Sequence, residues 1–330
     1  MLVIDALRGV NHIVSVGSVD GVCTSAALLR IIGAGKDVGL EFCQAFTVDR
    51  INPGAWLPGR QVALVDLAVN NREPAMTAGF ITRLREAGHT LVAVIDEHSR
   101  EDWLSVLGSF EGLVVEPQSQ SLNRGDRTPK SSGEVLRRAW LEAGESFNDL
   151  PEARELLETA DAGDRMDFTT HFGGIVNQAV KSAIADDSRR VHLARHFAEH
   201  READPKIQGW VAEYETILAN HDKIVAGRVD LGDGIVRVVA TGLAVDMTTL
   251  MGRLYREGAR VVVLEGEQYN KAKGEKMPMV SFGSGEKSLD LLAAVKAAGV
   301  ASASGFANKV NVEPSDEQVA LAAIRETFKA

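Results

Sequence analysis

The sequence has little cysteine and no long apolar segment. Cys23 and Cys43 both lie inside apolar runs, so we expect two small buried residues rather than a disulfide framework, as in a reducing compartment. No apolar run reaches the length that a bilayer crossing requires, so we expect no membrane association. Asp5 interrupts the short apolar stretch at the N-terminus, which argues against a secretory signal. These features predict a cytoplasmic protein.

The chain also lacks an excess of positive charge, because its formal net charge is -10. A protein that binds duplex DNA by neutralising many phosphates carries a basic face, so no duplex DNA partner is expected. A small anionic substrate is still compatible with this charge, because a bound metal ion dominates the field of a local cleft. The 330 residues, 45% hydrophobic and 25% charged, are typical of a globular protein with two domains.

The first half of the sequence alternates apolar, β-branched runs with amphipathic helices. The predicted strands are His12–Gly17, Val38–Phe46, Gln61–Leu67, Thr90–Ile95 and a short run at Leu113–Glu116. Strand-helix repetition with apolar strands predicts a parallel sheet that is covered on both faces. Ligands bind beyond the carboxyl ends of such strands, and Asp20, Asp66 and the run Asp96–His98 fall there.

The pattern changes twice along the rest of the chain. A mostly helical stretch follows Ser131, and the strand-helix alternation returns after Gly234. We therefore predict an α/β fold with a parallel-sheet domain in residues 1–185, a helical connector in residues 186–229 and a smaller α/β domain in residues 230–330.

Acidic residues cluster at four predicted strand or helix ends: Asp20, Asp66, Asp96 with Glu97, and Asp161 with Asp164. Each aspartate alone is explained as a helix cap or turn residue. Several carboxylates in one cleft repel one another, so together they predict a bound cation. All-oxygen ligand sets of this kind suit Mg²⁺ or Mn²⁺.

A second set of candidate ligands consists of His192, His196 and His200, which recur every four residues and would share one helix face. This spacing is compatible with a metal site. Their neighbours are arginines and glutamates, however, so the sequence favours a solvated helix surface.

Four short segments have the order and approximate spacing of the motifs of one enzyme superfamily. They are Ser15–Ser25 (SVGSVDGVCTS), Val65–Asp66, Ile95–His98 (IDEH) and Thr159–Asp164 (TADAGD). The first resembles H-x-D-x-D-G-x-x-S and the third resembles the Asp-His-His signature, while the other two supply an aspartate at the end of an element. The sequence thus resembles the DHH phosphoesterases, including their RecJ-like and oligoribonuclease-like members.

The resemblance implies a metal centre with altered ligands. One of the two metal ions of the family would need ligands at Val16 and Ser18, where valine cannot bind a cation and a neutral serine hydroxyl binds one weakly. We therefore expect one Mn²⁺ or Mg²⁺ ion rather than two. The resemblance assigns this ion to Asp20, Asp66, Glu97 and Asp161.

The resemblance also assigns catalytic roles to Asp96 and His98. His98 would donate a proton to the leaving oxygen or a hydrogen bond to the phosphoryl group. The alternative is a histidine held in the turn at the strand end.

The C-terminal part resembles the domain that accompanies DHH domains, through Val280–Ser284 and Ala297–Phe306. It implies substrate contacts in a cleft between the domains, from Ser281, Ser284, Ser304 and Gly305. The arginine and histidine of the family motifs are replaced here by Gly283 and Val300, and the loss of a guanidinium removes a strong phosphate ligand.

The sequence is compatible with two functions. The first is a metal-dependent phosphoesterase that hydrolyses a nucleotide, a short single-stranded oligonucleotide or another small phosphate ester. The second is a protein of the same fold that has lost catalysis and acts as a binding or scaffold subunit. An unrelated Rossmann-type nucleotide binder fits poorly, because no G-x-G-x-x-G follows the first strand. The sequence leaves the substrate and the oligomeric state open.

Overall fold

The computed structural model describes residues 3–33, 37–70, 73–119, 130–165, 167–183, 186–270, 275–286 and 288–328. The chain divides into two compact units, residues 1–212 and residues 213–330. This division point lies within the segment predicted as a connector. Among the described residues, no helix combines the length and the apolar character that a membrane span requires.

The first unit is built on a four-stranded parallel sheet with the strand order β2-β1-β3-β4. Its strands are β1 (His12–Val16), β2 (Gly39–Cys43), β3 (Gln61–Val65) and β4 (Thr90–Ile95). The predicted fifth strand is reduced to a single parallel bridge between Val115 and Ala93.

Helices cover both faces of this sheet. The helices are α1 (Val3–Gly9), α2 (Val19–Ile32), α3 (Pro74–Glu86), α4 (Arg100–Leu107), α5 (Ser132–Glu142), α6 (Pro151–Arg165), α7 (His171–Ser182) and α8 (Asp187–Glu199). Successive strand residues point to opposite faces, so Ile13 packs in one hydrophobic core and Val14 in the other. On the first of these faces, α2 packs against α5, α6 and α8.

Two glycines permit this close packing around α2. A Cβ atom on Gly163 of α6 would lie 3.0 Å from Val19 Cβ. A Cβ atom on Gly133 of α5 would lie 2.7 Å from Ala160 Cβ, which is too close for any larger side chain. Helices α5 and α6 can therefore approach the N-terminal end of α2, where Asp20 lies.

Helix α9 (Pro205–Ala226) begins in the first unit and ends in the second. The second unit contains α10 (Met247–Arg256), α11 (Leu291–Ala297) and α12 (Glu317–Glu326), with β5 (Val229–Asp230), β6 (Ile235–Val239), β7 (Val261–Asn270), β8 (Glu275–Ser284), β9 (Ser304–Phe306) and β10 (Lys309–Val312). The strand order is β5-β6-β7-β8-β10-β9. Among these described strands, only β6 and β7 pair in parallel, and helix α10 forms the crossover connection that this pairing requires. The other pairs are antiparallel. A parallel-sheet unit followed by a smaller α/β unit confirms the predicted fold class.

Candidate metal centre

Strands β1, β3 and β4 run in parallel, so their carboxyl ends meet at one edge of the sheet. The residues that follow these three strands are Gly17–Asp20, Asp66 and Asp96–His98. The sheet thus brings together three chain segments that are distant in sequence. Within them, the side chains of Asp20, Asp66 and the pair Asp96–Glu97 are buried.

Asp66 has a left-handed backbone conformation, with φ at 53°. Its backbone N–H donates to Ile95 O at 3.0 Å, which ties the end of β3 to the end of β4. The hydroxyl of Ser18, the N-cap residue of α2, accepts from Gly21 N at 2.8 Å and donates to Asp66 Oδ2. Ser18 therefore orients a carboxylate, although the sequence resemblance implied a metal ligand at this position.

Asp20 lies in the first turn of α2 and is held by the start of α5. Its Oδ2 accepts from Ser132 N at 2.7 Å. Its Oδ1 accepts from Ser132 Oγ at 2.7 Å, Thr24 Oγ1 at 2.9 Å and Gly133 N at 3.2 Å. Two of these donors are backbone N–H groups in the first turn of α5, where the helix dipole favours negative charge. Oδ1 is thus saturated, whereas Oδ2 keeps room for one more partner.

The Asp96-Glu97-His98 run turns away from the end of β4. Asp96 is fully buried and accepts from Trp103 Nε1 at 2.7 Å and from His98 Nδ1 at 2.9 Å. Glu97 Oε1 lies 3.2 Å from the same imidazole nitrogen. Glu97 Oε2 is buried and has no hydrogen-bond partner among the described residues. Asp96 is thus engaged on both oxygens, while Glu97 keeps one oxygen for another ligand.

Helix α6 contributes Asp164, and not the predicted Asp161, to this group. An oxygen atom of Asp164 comes within 4.8 Å of ligand atoms of Asp20 and Glu97. Asp161 instead pairs with Arg165 one helical turn later. Residues three positions apart on a helix point about 60° apart and are offset by about 4.5 Å along its axis. Asp164, rather than the predicted Asp161, is therefore the α6 carboxylate that a cation at Glu97 could reach.

Two overlapping sets of ligand atoms result. Asp66, Asp96, Glu97 and His98 form one set, and Asp20, Glu97 and Asp164 form the other, with every atom in a set within 4.8 Å of the others. Glu97 belongs to both. We refer to these five carboxylates and His98 as the carboxylate cluster.

The pKa values of the carboxylate cluster are shifted because its carboxylates are close together and largely shielded from water. Burial and the neighbouring Asp20 and Asp96 raise the pKa of Glu97 to about 10. Burial, followed by repulsion from Asp20 and Glu97, places the pKa of Asp66 well above its usual value. Asp164 is exposed, yet partial desolvation and the charge of Asp20 raise its pKa to about 7.

The other two shifts in the cluster point the same way. Burial also raises the pKa of Asp20, against the effect of its hydrogen bonds from Ser132 and Thr24. Partial burial lowers the pKa of His98, but the hydrogen bond to Asp96 and the surrounding carboxylates outweigh it and raise the pKa to about 9. Each shift opposes negative charge or favours positive charge at this site.

These residues fit a divalent cation. Oxygen ligands from carboxylates suit Mg²⁺ and Mn²⁺, and the unpartnered Glu97 Oε2 is the buried atom that a cation would satisfy. A bound cation would also relieve the repulsion that raises these pKa values.

Two of the predicted substrate contacts of the second unit, Ser281 and Ser284, form hydrogen bonds within the fold. Ser281 Oγ donates to Asn311 Oδ1 at 2.7 Å, across the β8–β10 pair. Ser284 Oγ donates to Arg260 O at 3.0 Å and accepts from Glu286 N at 3.0 Å. The side chain of Ser304 is exposed.

Gly305 has φ at 131°, and a Cβ atom there would lie 2.2 Å from Lys309 O. This glycine thus permits the tight β9–β10 hairpin. Gly283 and Val300, where the sequence departs from the motifs that it resembles, are enclosed by packing. A Cβ atom on Gly283 would meet Tyr255 and Met251, and Val300 is buried in the core.

Two contributions to the centre were not predicted. Trp103 binds Asp96 from α4, and Ser132 binds Asp20 from the start of α5. The apolar positions of α6 offered a signal for Asp164, because Leu157 and Ala160 precede it by seven and four residues on the face toward α2. No comparable signal marks the contact of Trp103.

Fold and site together describe a two-unit α/β protein with an acidic, metal-compatible centre at the carboxyl ends of a parallel sheet. The sequence matches no family model and no curated protein. Its structure is similar to that of PggH, a pGpG-specific phosphodiesterase from Vibrio cholerae, with a TM-score of 0.60 and 13% identity over 96% of this chain and 98% of that one. An uncharacterised protein from Helicobacter pylori G27 has a TM-score of 0.30 and 10% identity, with 95% of this chain and 99% of that chain covered. The likeness to PggH supports a phosphoesterase-type fold.

Proposed function

We propose that this protein is a metal-dependent phosphodiesterase of the DHH type that acts on a nucleotide or a short single-stranded oligonucleotide. This proposal rests on the carboxylate cluster around Glu97. The buried Oε2 atom of Glu97 has no hydrogen-bond partner among the described residues. The similar fold of a pGpG-specific phosphodiesterase supports the substrate class. We therefore include pGpG among the substrates to test.

The ion would be one Mn²⁺ or Mg²⁺ at Glu97, with Asp20 and Asp164 from one set of ligand atoms and Asp66 from the other, which would have to move closer to bind the same ion. Asp164 takes the role that the sequence resemblance gave to Asp161, because it is the α6 carboxylate within reach of Asp20 and Glu97. Such an ion supplies Lewis-acid activation of the phosphoryl group and of a water nucleophile. Asp20 would contribute through Oδ2, the oxygen with a free acceptor position.

His98 would donate the proton that the leaving oxygen requires. Its Nδ1 is held by Asp96 at 2.9 Å, and Asp96 is itself fixed by Trp103. About half of the His98 side chain is exposed, at 47%, so a substrate can reach it. Asp96 thus positions the imidazole and stabilises its protonated form, which is the form that acts as a general acid.

The decisive experiment compares neighbouring aspartates of α6. The parent protein, Asp164→Asn and Asp161→Asn are assayed with Mn²⁺ on pGpG, other dinucleotides, short single strands and a chromogenic phosphodiester. We expect Asp164→Asn to lose at least about 100-fold in kcat/KM, as for removal of a metal ligand, and Asp161→Asn to stay within a few-fold of the parent. Equal losses in both variants, or turnover that is unchanged when Mn²⁺ is chelated, would contradict the proposed centre.

A second function is favoured by the altered positions. Val16 cannot bind a metal, Ser18 is committed to Asp66, and Gly283 and Val300 are enclosed by packing. A protein that has kept the metal centre but has lost phosphodiesterase activity would bind Mn²⁺ and a nucleotide without turnover. Calorimetric titration with Mn²⁺ and then with pGpG separates the two functions, because heat of binding without product would support the binding protein.

A further inference from the structure

Helix α8 carries two stacked imidazoles that are not part of the carboxylate cluster. The rings of His192 and His196 lie one helical turn apart, with centroids separated by 5.9 Å and planes inclined by 9°. Their side chains are 30% and 14% exposed, so they are not part of a fully solvated helix surface. Trp210 of α9 packs edge-on against His192, with ring centroids 5.3 Å apart. The two histidines are thus oriented by packing.

Asp204 faces both rings from the turn between α8 and α9. Its Oδ1 accepts from Ile207 N at 2.8 Å, which caps the start of α9. Its Oδ2 lies 2.8 Å from His192 Nε2 and 3.7 Å from His196 Nδ1. One carboxylate oxygen therefore stabilises the helix, while the other is directed at two ring nitrogens.

The hydrogen bond on the far side of His196 determines which nitrogen carries its proton. His196 Nε2 lies 2.6 Å from the backbone oxygen of Glu202, and a carbonyl oxygen only accepts, so Nε2 must donate. In the neutral ring, Nδ1 then has a lone pair directed at the Asp204 carboxylate, and two acceptors face each other. A cation between them resolves this conflict. Metal-bound histidines typically donate their other N–H to a backbone carbonyl in this way.

We propose that His192, His196 and Asp204 form a second metal site, which binds a divalent transition-metal ion such as Zn²⁺. The three ligand atoms lie within 4.8 Å of one another. In a tetrahedral zinc site, neighbouring ligand atoms are about 3.3 Å apart, between the two distances observed at Asp204 Oδ2. Histidines four residues apart on a helix are a common pair of zinc ligands, and nitrogen donors favour Zn²⁺ over Mg²⁺.

The two imidazoles also border an open cavity. His192 and His196 line a cavity of about 660 Å³, together with Arg195 and His200. Arg195 donates to Val38 O at 2.6 Å, so its guanidinium is committed to the backbone. The site differs from the carboxylate cluster in residues and in ligand chemistry, and it is independent of the proposed phosphodiesterase activity.

The test counts zinc ions bound to the full-length protein. The Glu97→Gln background weakens the carboxylate cluster, and chelator-treated protein is dialysed against Zn²⁺ before its metal content is measured. We expect Glu97→Gln/His196→Gln to bind one Zn²⁺ fewer per chain than Glu97→Gln. We expect Glu97→Gln/Asp204→Asn to show the same deficit. This variant should keep its fold, because the amide oxygen of asparagine can still accept the hydrogen bond from Ile207 N at the start of α9. Co²⁺ in place of Zn²⁺ should give the visible absorption of a tetrahedral nitrogen-oxygen site.

His200→Gln in the same background is the matched control, because His200 lines the same cavity but is not among the three ligands. It should keep the zinc content of Glu97→Gln, and circular dichroism should show that every variant is folded. Zinc content that is the same with and without His196 would overturn the proposal. So would a loss caused by His200→Gln as large as that caused by His196→Gln.

Discussion

Glu97→Gln should stabilise the protein when no metal is bound. Burial and the adjacent carboxylates raise the Glu97 pKa from 4.5 to about 10, so the folded protein carries a proton at pH 7 that the unfolded chain releases. Stability therefore falls as pH rises above 4.5 and continues to fall until about pH 10. At pH 7 the 2.5 units above the unfolded pKa correspond to a cost of about 3 kcal/mol, at 1.36 kcal/mol per unit. Glutamine has the shape of the protonated side chain and avoids this cost.

The assay is guanidinium unfolding followed by circular dichroism, with a chelator present. The free energy of unfolding of Glu97→Gln should exceed that of the parent by up to about 3 kcal/mol at pH 7. At pH 5.5, which is closer to the unfolded pKa of glutamate, the difference should be about 1 kcal/mol. Glu111→Gln is the control, because Glu111 is exposed. Mn²⁺ at about 1,000 times its Kd for the parent should reverse the order, since it stabilises the parent by about 4.1 kcal/mol and an amide oxygen binds it weakly. A variant less stable than the parent without metal, and stabilised equally by Mn²⁺, would refute the reasoning.

Three further predictions concern the cluster and its supports. Mn²⁺ binding should release at least one proton at pH 7, because Glu97, with a pKa of about 10, is protonated there and Asp164, with a pKa of about 7, is half protonated, so affinity should rise from pH 6 to pH 8 and calorimetric heats should depend on the buffer. Trp103→Phe should cost about 1–3 kcal/mol of unfolding free energy by leaving buried Asp96 without one donor, and an unchanged denaturation midpoint would contradict this. Gly133→Ala should cost about 1–3 kcal/mol because its Cβ would lie 2.7 Å from a methyl group of α6, whereas Gly174→Ala, with nothing within 4 Å, should be neutral or slightly stabilising in the same thermal melts.

The sheet and the position of the centre were predictable because they depend on local patterns. Apolar β-branched runs specify buried parallel strands, and the carboxyl ends of such strands converge whatever the details of packing. Asp66 and the Asp96-Glu97 pair follow directly from this rule. Their convergence with Asp20 needed only the order of strand, turn and helix at the start of the chain.

The remaining candidate ligands depend on contacts between distant elements. Asp164 rather than Asp161 reaches the centre because of how α6 packs on α2, with Gly163 close to Val19. Four-residue spacing identified His192 and His196 as candidates, but their burial and the return of Asp204 from the following turn are properties of the folded chain. Sequence periodicity cannot provide information of this kind.

The left-handed backbone at Asp66 limits which amino acids this position accepts. Glycine and asparagine adopt such a conformation as readily as aspartate, and neither carries a charge that must be removed from water. If the position served only the turn, asparagine would keep the same shape and the hydrogen bond from Ser18 without the desolvation penalty. An ionisable side chain here is thus the costliest of the three choices, which is the expected mark of selection for negative charge rather than for chain geometry.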